Sequence, residues 1–62
     1  MSQPGVSIVY ILERKRPNER TFWPMLAGAR ATFHDCRNLQ KERELLYPEN
    51  RYRVMRYEAV KP

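Results

Sequence analysis

The sequence predicts an α+β fold in the order ββαβ: a three-stranded antiparallel sheet, strand order 2-1-3, with one helix packed on one face. Three observations predict it. The segment 6–12 is the longest apolar run, rich in β-branched and aromatic residues, and has the length of a strand. A second aromatic run, 20–26, contains Pro24, which cannot donate to a sheet ladder and so favours an edge strand. A helical pattern over 33–46 separates these runs from a third β-prone segment, 51–60.

The first strand, predicted over about 6–14, is expected to lie at the centre of the sheet. Successive side chains of a strand point to opposite faces of the sheet. One face of this strand would carry Val6, Ile8, Tyr10 and Leu12, and the other Ser7, Val9, Ile11 and Glu13. Both faces are therefore largely apolar, which is typical of a strand with neighbours on both sides. The turn chemistry of 16–19, Arg-Pro-Asn-Glu, predicts a hairpin into the second strand.

The predicted helix begins after Thr32, whose hydroxyl can accept a hydrogen bond from the backbone N–H of Asp35. The segment 27–31 that precedes it is expected to be a loop. At about 100° per residue, one apolar stripe of the helix holds Phe33, Cys36, Leu39 and Leu46. Arg43 falls within the same stripe and is expected to extend its charged head to the edge. We expect Phe33 to be buried between the helix and the sheet.

Pro48 and Asn50 predict the end of the helix and a turn into the third strand. The apolar alternation of that strand changes phase part-way along. One face would carry Tyr52 and Val54, and the other Met55 and Tyr57. Either a bulge near 54–55 or an apolar patch on both faces would explain the change of phase.

Length and composition narrow the class of protein. The 62 residues predict a single small domain, 1–62, with residues 1–5 as a flexible N-terminus. Cys36 is the only cysteine, which excludes a disulfide within one chain and favours a reducing compartment. Neither a signal peptide nor a membrane-spanning run is apparent, so the cytoplasm is the expected location. The net charge of +5 favours an acidic partner, either a protein surface or a nucleic acid.

The residue types needed for catalysis are largely missing from the pattern, and we expect no enzymatic activity. Cys36 lies on the predicted core stripe, where a cysteine is usually inert packing. His34 is expected on the solvent face, and Asp35 is explained as part of the helix cap. Gly5 and Gly28 are the only glycines, so there is no glycine-rich phosphate loop. We therefore expect no cofactor, no metal and no small-molecule substrate.

The candidate site is the sheet face that the helix leaves uncovered. If the helix covers the face with Ile8, Tyr10 and Leu12, the opposite face is predicted to carry an apolar patch with a basic rim. Such a patch on a monomer indicates an interaction surface. Its predicted members are Val9, Ile11, Trp23, Met25, Met55 and Tyr57, ringed by Lys15, Arg51 and Arg53. Trp23 is expected to be the residue of this patch that contributes most to binding. It would face away from the helix, while Phe22 would pack under the helix.

The end of the chain carries a resemblance. A helix followed by Tyr47-Pro48-x-x-Arg51-Tyr52-Arg53-Val54-Met55-Arg56-Tyr57-Glu58 is similar to the closing segment of many short phage- and prophage-encoded proteins. The Trp23-Pro24 pair resembles the second strand of those proteins, which share the size and the ββαβ order. The resemblance implies a protein that binds and inhibits or modulates a host protein in the host cytoplasm. It carries over no individual site residue.

Three ligands are considered for the predicted open face: a protein partner, a nucleic acid and a second copy of the chain. The aliphatic and methionine content favours a protein partner with an acidic surface. The net charge favours a nucleic acid, whose bases would stack on Trp23 and Tyr57 while arginines contact the phosphates. A homodimer closed by the same patch is the third possibility. We expect a protein partner.

Overall fold

The computed structural model describes residues 6–60 and has the predicted ββαβ order. Its strands pair antiparallel in the order β2-β1-β3, so the prediction that the first strand is central is confirmed. The segment 1–5, expected to be flexible, lies outside the described residues. The elements are β1 (Val6–Lys15), β2 (Trp23–Arg30), α1 (Phe33–Leu46) and β3 (Arg51–Val60).

β1 and β3 form an unbroken ladder from the Val6–Val60 pair to the Lys15–Arg51 pair. Because the register does not shift at Val54 or Met55, the suggested bulge at that point is wrong. The change of phase in β3 instead reflects apolar side chains on both faces of the strand. One face of β3 packs under the helix, and the other helps to form the uncovered face of the sheet.

β2 differs most from its prediction. It begins at Trp23 rather than near residue 20, and it extends to Arg30 through the segment 27–30, which was expected to be loop. Its pairing with β1 jumps from Ile11–Ala29 to Glu13–Pro24, so four residues, 25–28, stand against one residue of β1. Pro24 does lie on an edge strand, as predicted.

Gly28 explains how this bulge closes onto β1. A Cβ atom at Gly28 would lie 2.9 Å from the Leu12 carbonyl oxygen and 3.1 Å from the Met25 Cβ. Only a residue without a side chain therefore allows this backbone approach. Arg30 supports the bulge from the other side, where its guanidinium donates a 2.9 Å hydrogen bond to the Ala27 carbonyl.

The core lies between α1 and one face of the sheet. Its fully or nearly fully buried side chains come from β1, α1 and β3, and they are flanked by partly buried residues of all three strands. The buried members are Leu12, Cys36, Leu39 and Tyr52, and the flanking ones are Tyr10, Met25 and Val54. Leu12 is central to both the sheet and the core, which fits a fully buried position on the middle strand.

The helix begins as predicted. The backbone N–H of Asp35 donates a 3.2 Å hydrogen bond to the Thr32 Oγ1, and Thr32 has extended backbone geometry. At the other end, the N–H of Tyr47 closes the last turn on the Arg43 carbonyl at 2.8 Å. Arg43 is half-buried, with its Nε buried and without a hydrogen-bond partner among the described residues.

The ends of the predicted helical stripe are not buried. Phe33 is 55% exposed and Leu46 58% exposed, so the prediction that Phe33 is buried between helix and sheet is wrong. Cys36 and Leu39, in the middle of the stripe, are buried. The first and last helical residues overhang the small core, and Phe33 meets the sheet in an edge-to-face contact with Tyr10, with ring centroids 5.9 Å apart.

Gln40 is a polar group inside the interface between the helix and the sheet. Its Nε2 donates a 3.1 Å hydrogen bond to the Tyr52 carbonyl of β3, and its Oε1 accepts a 2.6 Å bond from Arg37. These bonds satisfy a buried amide and tie the middle of α1 to the sheet. Within residues 6–60, no helix is long and apolar enough to cross a membrane.

Candidate functional site

The face of the sheet that points away from α1, called here the open face, is built by the alternate residues of β1 and β3. Because Leu12 and Tyr52 lie in the core, their neighbours along each strand point the other way. Seven of the nine predicted site residues belong to this face. The directly opposed pairs across it are Val9–Tyr57, Ile11–Met55, Glu13–Arg53 and Lys15–Arg51.

One end of the open face is apolar. Val9, Ile11 and Met55 are each half-buried, and Tyr57 is 39% exposed. Val9 and Ile11 lie on the central strand, where Tyr57 and Met55 are their direct cross-strand partners. The four side chains therefore form two adjacent cross-strand pairs that no described residue of the helix covers. We call this set the apolar row of the open face.

A buried carboxylate lies next to the apolar row. Glu13 is only 3% exposed although it points away from the helix. Its Oε1 accepts a 2.7 Å hydrogen bond from Arg53 Nε, and its Oε2 accepts one from the Tyr57 hydroxyl. The Arg53 guanidinium lies in turn over the Phe22 ring, 4.4 Å from its centroid. The arginine thus connects the carboxylate to an aromatic ring from the β1–β2 connection.

These contacts shift the pKa values of Glu13 and Tyr57. Burial raises the pKa of Glu13, but the hydrogen bonds from Tyr57 and Arg53 and the charge of Arg53 together outweigh it, so the pKa lies below the ordinary value of 4.5. The hydrogen bond to Glu13, with burial and the carboxylate charge, raises the pKa of Tyr57, against the opposing charge of Arg53. Glu13 is therefore ionised and Tyr57 protonated at neutral pH.

Trp23 and Met25 are not on the open face, and their predicted placement is wrong. Trp23 pairs with Arg14, which pairs on its other side with the core residue Tyr52, so Trp23 belongs to the helix side of the sheet. Met25 packs against the core. The error follows from Phe22, which was expected under the helix but lies before β2, on the open face with Arg53. Trp23 is nevertheless 58% exposed.

The other end of the open face is cationic. Lys15 and Arg51 are directly opposed across the ladder, and neither forms an ion pair with any described residue. Like charges in this arrangement repel each other. An open cleft of about 510 Å³ lies at the same end of the molecule, between the β1–β2 and α1–β3 connections. Its lining includes Arg14, Arg16, Asn18, Tyr47, Glu49 and Asn50.

Cys36 and His34 both lie on α1, away from the open face. Cys36 is fully buried, with its Sγ 3.7 Å from the Gly28 carbonyl, and burial raises the pKa of its thiol more than the charge of Arg30 lowers it. His34 is exposed on α1, where its ring shares a 3.2 Å hydrogen bond with Asn38. Among the described residues there is no group of three side chains that could hold a metal ion.

Sequence reasoning missed two members of the site, Glu13 and Phe22. Glu13 lies on the face predicted for it, and a carboxylate directly after the apolar run 6–12 is a sequence signal of a paired charge. Phe22 carried no comparable signal, since its position depends on where β2 begins. Comparison with known proteins adds no relative: the chain matches no protein-family model, no curated protein and no solved structure.

Proposed function

We propose that this chain is a small, non-enzymatic binding module that docks through its open face on a protein partner with an acidic surface. Following the phage-type resemblance, the partner is a host protein that the module inhibits or modulates in the cytoplasm. The observation that carries the proposal is the apolar row, Val9, Ile11, Met55 and Tyr57, left partly exposed on the face opposite the helix. Apolar surface of this kind, rimmed by charge, is typical of an interface.

The composition of the open face supports a protein partner. Tyrosine, methionine and arginine are enriched at protein interfaces, and aliphatic side chains fill their centres. Glu13 adds rigidity, because its two hydrogen bonds hold Arg53 and Tyr57 in one arrangement before any partner arrives. Side chains that are already ordered lose less conformational entropy on binding.

The cationic end supports an acidic partner. Lys15 and Arg51 repel each other in the free chain, and a carboxylate placed between them would replace repulsion with attraction. A partner with an apolar ridge and an adjacent acidic group therefore matches both ends of the open face. The apolar row would supply most of the affinity, and the cationic end the association rate and the orientation.

Nucleic-acid binding is the second candidate. The open cleft between the β1–β2 and α1–β3 connections favours it. Arg14 and Arg16 line that cleft together with Glu49, so phosphates would find two cations there. The open face itself provides poor stacking surfaces. Phe22 is already covered by Arg53, and Trp23 lies on the other side of the sheet. For these reasons we favour the protein partner.

Affinity capture with matched variants tests the proposal. The bait proteins are the parent chain, Met55→Gln on the open face, and Leu45→Gln on the exposed side of α1. Both changes replace a large apolar side chain with an amide and leave the net charge unchanged. We expect a host protein that the parent and Leu45→Gln capture equally and that Met55→Gln loses by about tenfold or more. Equal capture by all three baits would refute the proposal.

Salt dependence separates the two candidates. Binding of an oligonucleotide should weaken steeply between 50 and 200 mM salt, at roughly the slope expected for released counterions. The protein complex should change mainly in its association rate. If the parent chain binds single- or double-stranded oligonucleotides at near-physiological salt and captures no protein, nucleic-acid binding is the function.

A further inference from the structure

The two edges of the sheet differ in how well they are protected. The β2 edge is interrupted by Pro24, which has no N–H, and by the bulge over 25–28. The β3 edge has neither interruption: its ten residues pair with β1 in one continuous register and include no proline and no glycine. Within the described part of the chain, nothing pairs with the outer side of β3.

An open edge of this length is an unusual feature. Each exposed strand edge presents a row of backbone N–H and C=O groups that can pair with another chain. Natural proteins usually interrupt such edges with proline, bulges or inward-pointing charges, as this chain does on β2. Since the same sheet protects one edge and leaves the other intact, the unprotected edge is the one available for pairing.

The charges of β3 do not prevent a second strand from approaching. Arg53 is paired with Glu13 at 2.7 Å, and Arg56 with Glu58 at 2.7 Å. Two of the arginines on this strand are thus largely neutralised within their own chain.

We propose that β3 pairs antiparallel with β3 of a second copy, which joins two three-stranded sheets into one sheet of six strands. Two-fold symmetry about Met55 places Arg53 opposite Tyr57 of the second copy, and Val54 opposite Arg56. In this register no like charges oppose each other. A two-fold axis at Arg53 or at Arg56 would instead set an arginine against itself.

The size of the chain explains why a second copy is the occupant of this edge. Among the described residues the buried apolar core has four members, Leu12, Cys36, Leu39 and Tyr52, and a 62-residue domain is marginally stable alone. Pairing of β3 would satisfy the backbone groups of its outer edge. It would also place the two apolar rows side by side on one continuous open face, without covering either of them.

Light scattering and amide hydrogen exchange together test this pairing. We expect a particle of twice the 7.5 kDa chain mass at high protein concentration. In that particle, every second amide of 51–60, which points away from β1, should exchange at least about tenfold more slowly than in the dilute monomer. The outward amides of β2 are the internal control and should exchange equally fast in both states.

Two results would overturn the proposal. One is a monomer at every concentration up to the millimolar range. The other is a dimer in which the outward amides of β3 remain as fast as those of β2, because that dimer would be joined through a face of the sheet. Slow exchange of the β3 amides in the dimer alone would support edge pairing, whatever the identity of the partner bound on the open face.

Discussion

Glu13 and Arg53 face each other across the β1–β3 ladder, with Arg53 Nε 2.7 Å from the Glu13 Oε1 on the side of the sheet that the helix does not cover. The carboxylate side chain is almost fully buried, whereas the arginine side chain is about half exposed. The pair thus anchors a solvent-facing arginine to the middle of the sheet. Through Tyr57 and Phe22 it also organises the surface that we propose to bind a partner.

Glu13→Gln should destabilise the fold by about 1.5–3 kcal/mol, the range for hydrogen bonds to charged groups. The cost should be below that of breaking a fully buried ion pair, about 3–5 kcal/mol, because water can solvate the half-exposed Arg53. Urea unfolding of the parent and the variant measures the difference. Glu58→Gln is the matched control, because its pair with Arg56 is exposed on both sides and should contribute less than about 1 kcal/mol. Equal effects of the two changes would show that the Glu13 pair is not special.

The stability of the parent chain should depend on pH through Glu13. Its pKa is lower in the folded chain than the ordinary value of 4.5, so the folded state binds its proton less readily than the unfolded state does. The contribution is therefore fully present above about pH 4.5 and is lost as the pH falls through the folded pKa. Unfolding free energies measured from pH 6 down to pH 3 should decrease more steeply for the parent than for Glu13→Gln. Parallel curves would contradict the lowered pKa.

Phe33→Ala and Leu39→Ala should differ clearly in their effect on stability. Phe33 is 55% exposed and makes one edge-to-face contact, so its loss should cost about 0.5–1.5 kcal/mol. Leu39 is buried in the core, and its truncation should cost about 2–5 kcal/mol, enough to unfold so small a domain. Thermal unfolding followed by circular dichroism distinguishes them. A larger effect at Phe33 would mean that the helix is rotated from the position described.

Gly28→Ala should destabilise the chain by about 1–3 kcal/mol. The new methyl group would lie 2.9 Å from the Leu12 carbonyl oxygen, a backbone atom that cannot move aside without shifting β1. Ala27→Ser is a suitable control, since Ala27 is exposed in the same bulge. Urea unfolding of both variants measures the effect. If Gly28→Ala leaves the free energy of unfolding unchanged, the backbone at residue 28 does not approach Leu12 as closely as described.

The sequence predicts the architecture well because each of its signals is local. The two-faced apolar run of β1 requires neighbours on both sides, Pro24 requires an edge, and Thr32 marks the start of α1. Local signals do not predict which side chains of β2 point to the helix and which point to the open face. The alternation of β2 is interrupted by the bulge over 25–28, and such a bulge depends on the approach of Gly28 to Leu12, a contact between residues distant in the chain. Trp23 and Met25 lie on the helix side because Phe22, expected under the helix, lies before β2 on the open face.

The candidate site was predictable to a similar degree. Val9, Ile11, Met55 and Tyr57 follow from simple alternation along β1 and β3, so they lie on the expected face. The carboxylate of Glu13 directly after an apolar run is a signal of a paired charge, but its partners could not be deduced. They depend on the register that sets Arg53 opposite and brings the Tyr57 hydroxyl within reach. The exposure of Phe33 and Leu46 at the ends of α1 could not be predicted either. Helix periodicity gives the direction of a side chain, but not the extent of the sheet beneath the helix.

A hydrogen-exchange footprint of the captured protein partner on this chain is the most direct test of the open face. Amide exchange is compared in the free and bound chain for the three strands and for α1, with Trp23→Ala as a control that removes an exposed aromatic ring from the opposite side. We predict that binding slows exchange around Val9, Ile11 and Met55, leaves α1 unchanged, and is equally tight for Trp23→Ala. A footprint on α1, or loss of binding in Trp23→Ala, would contradict the account.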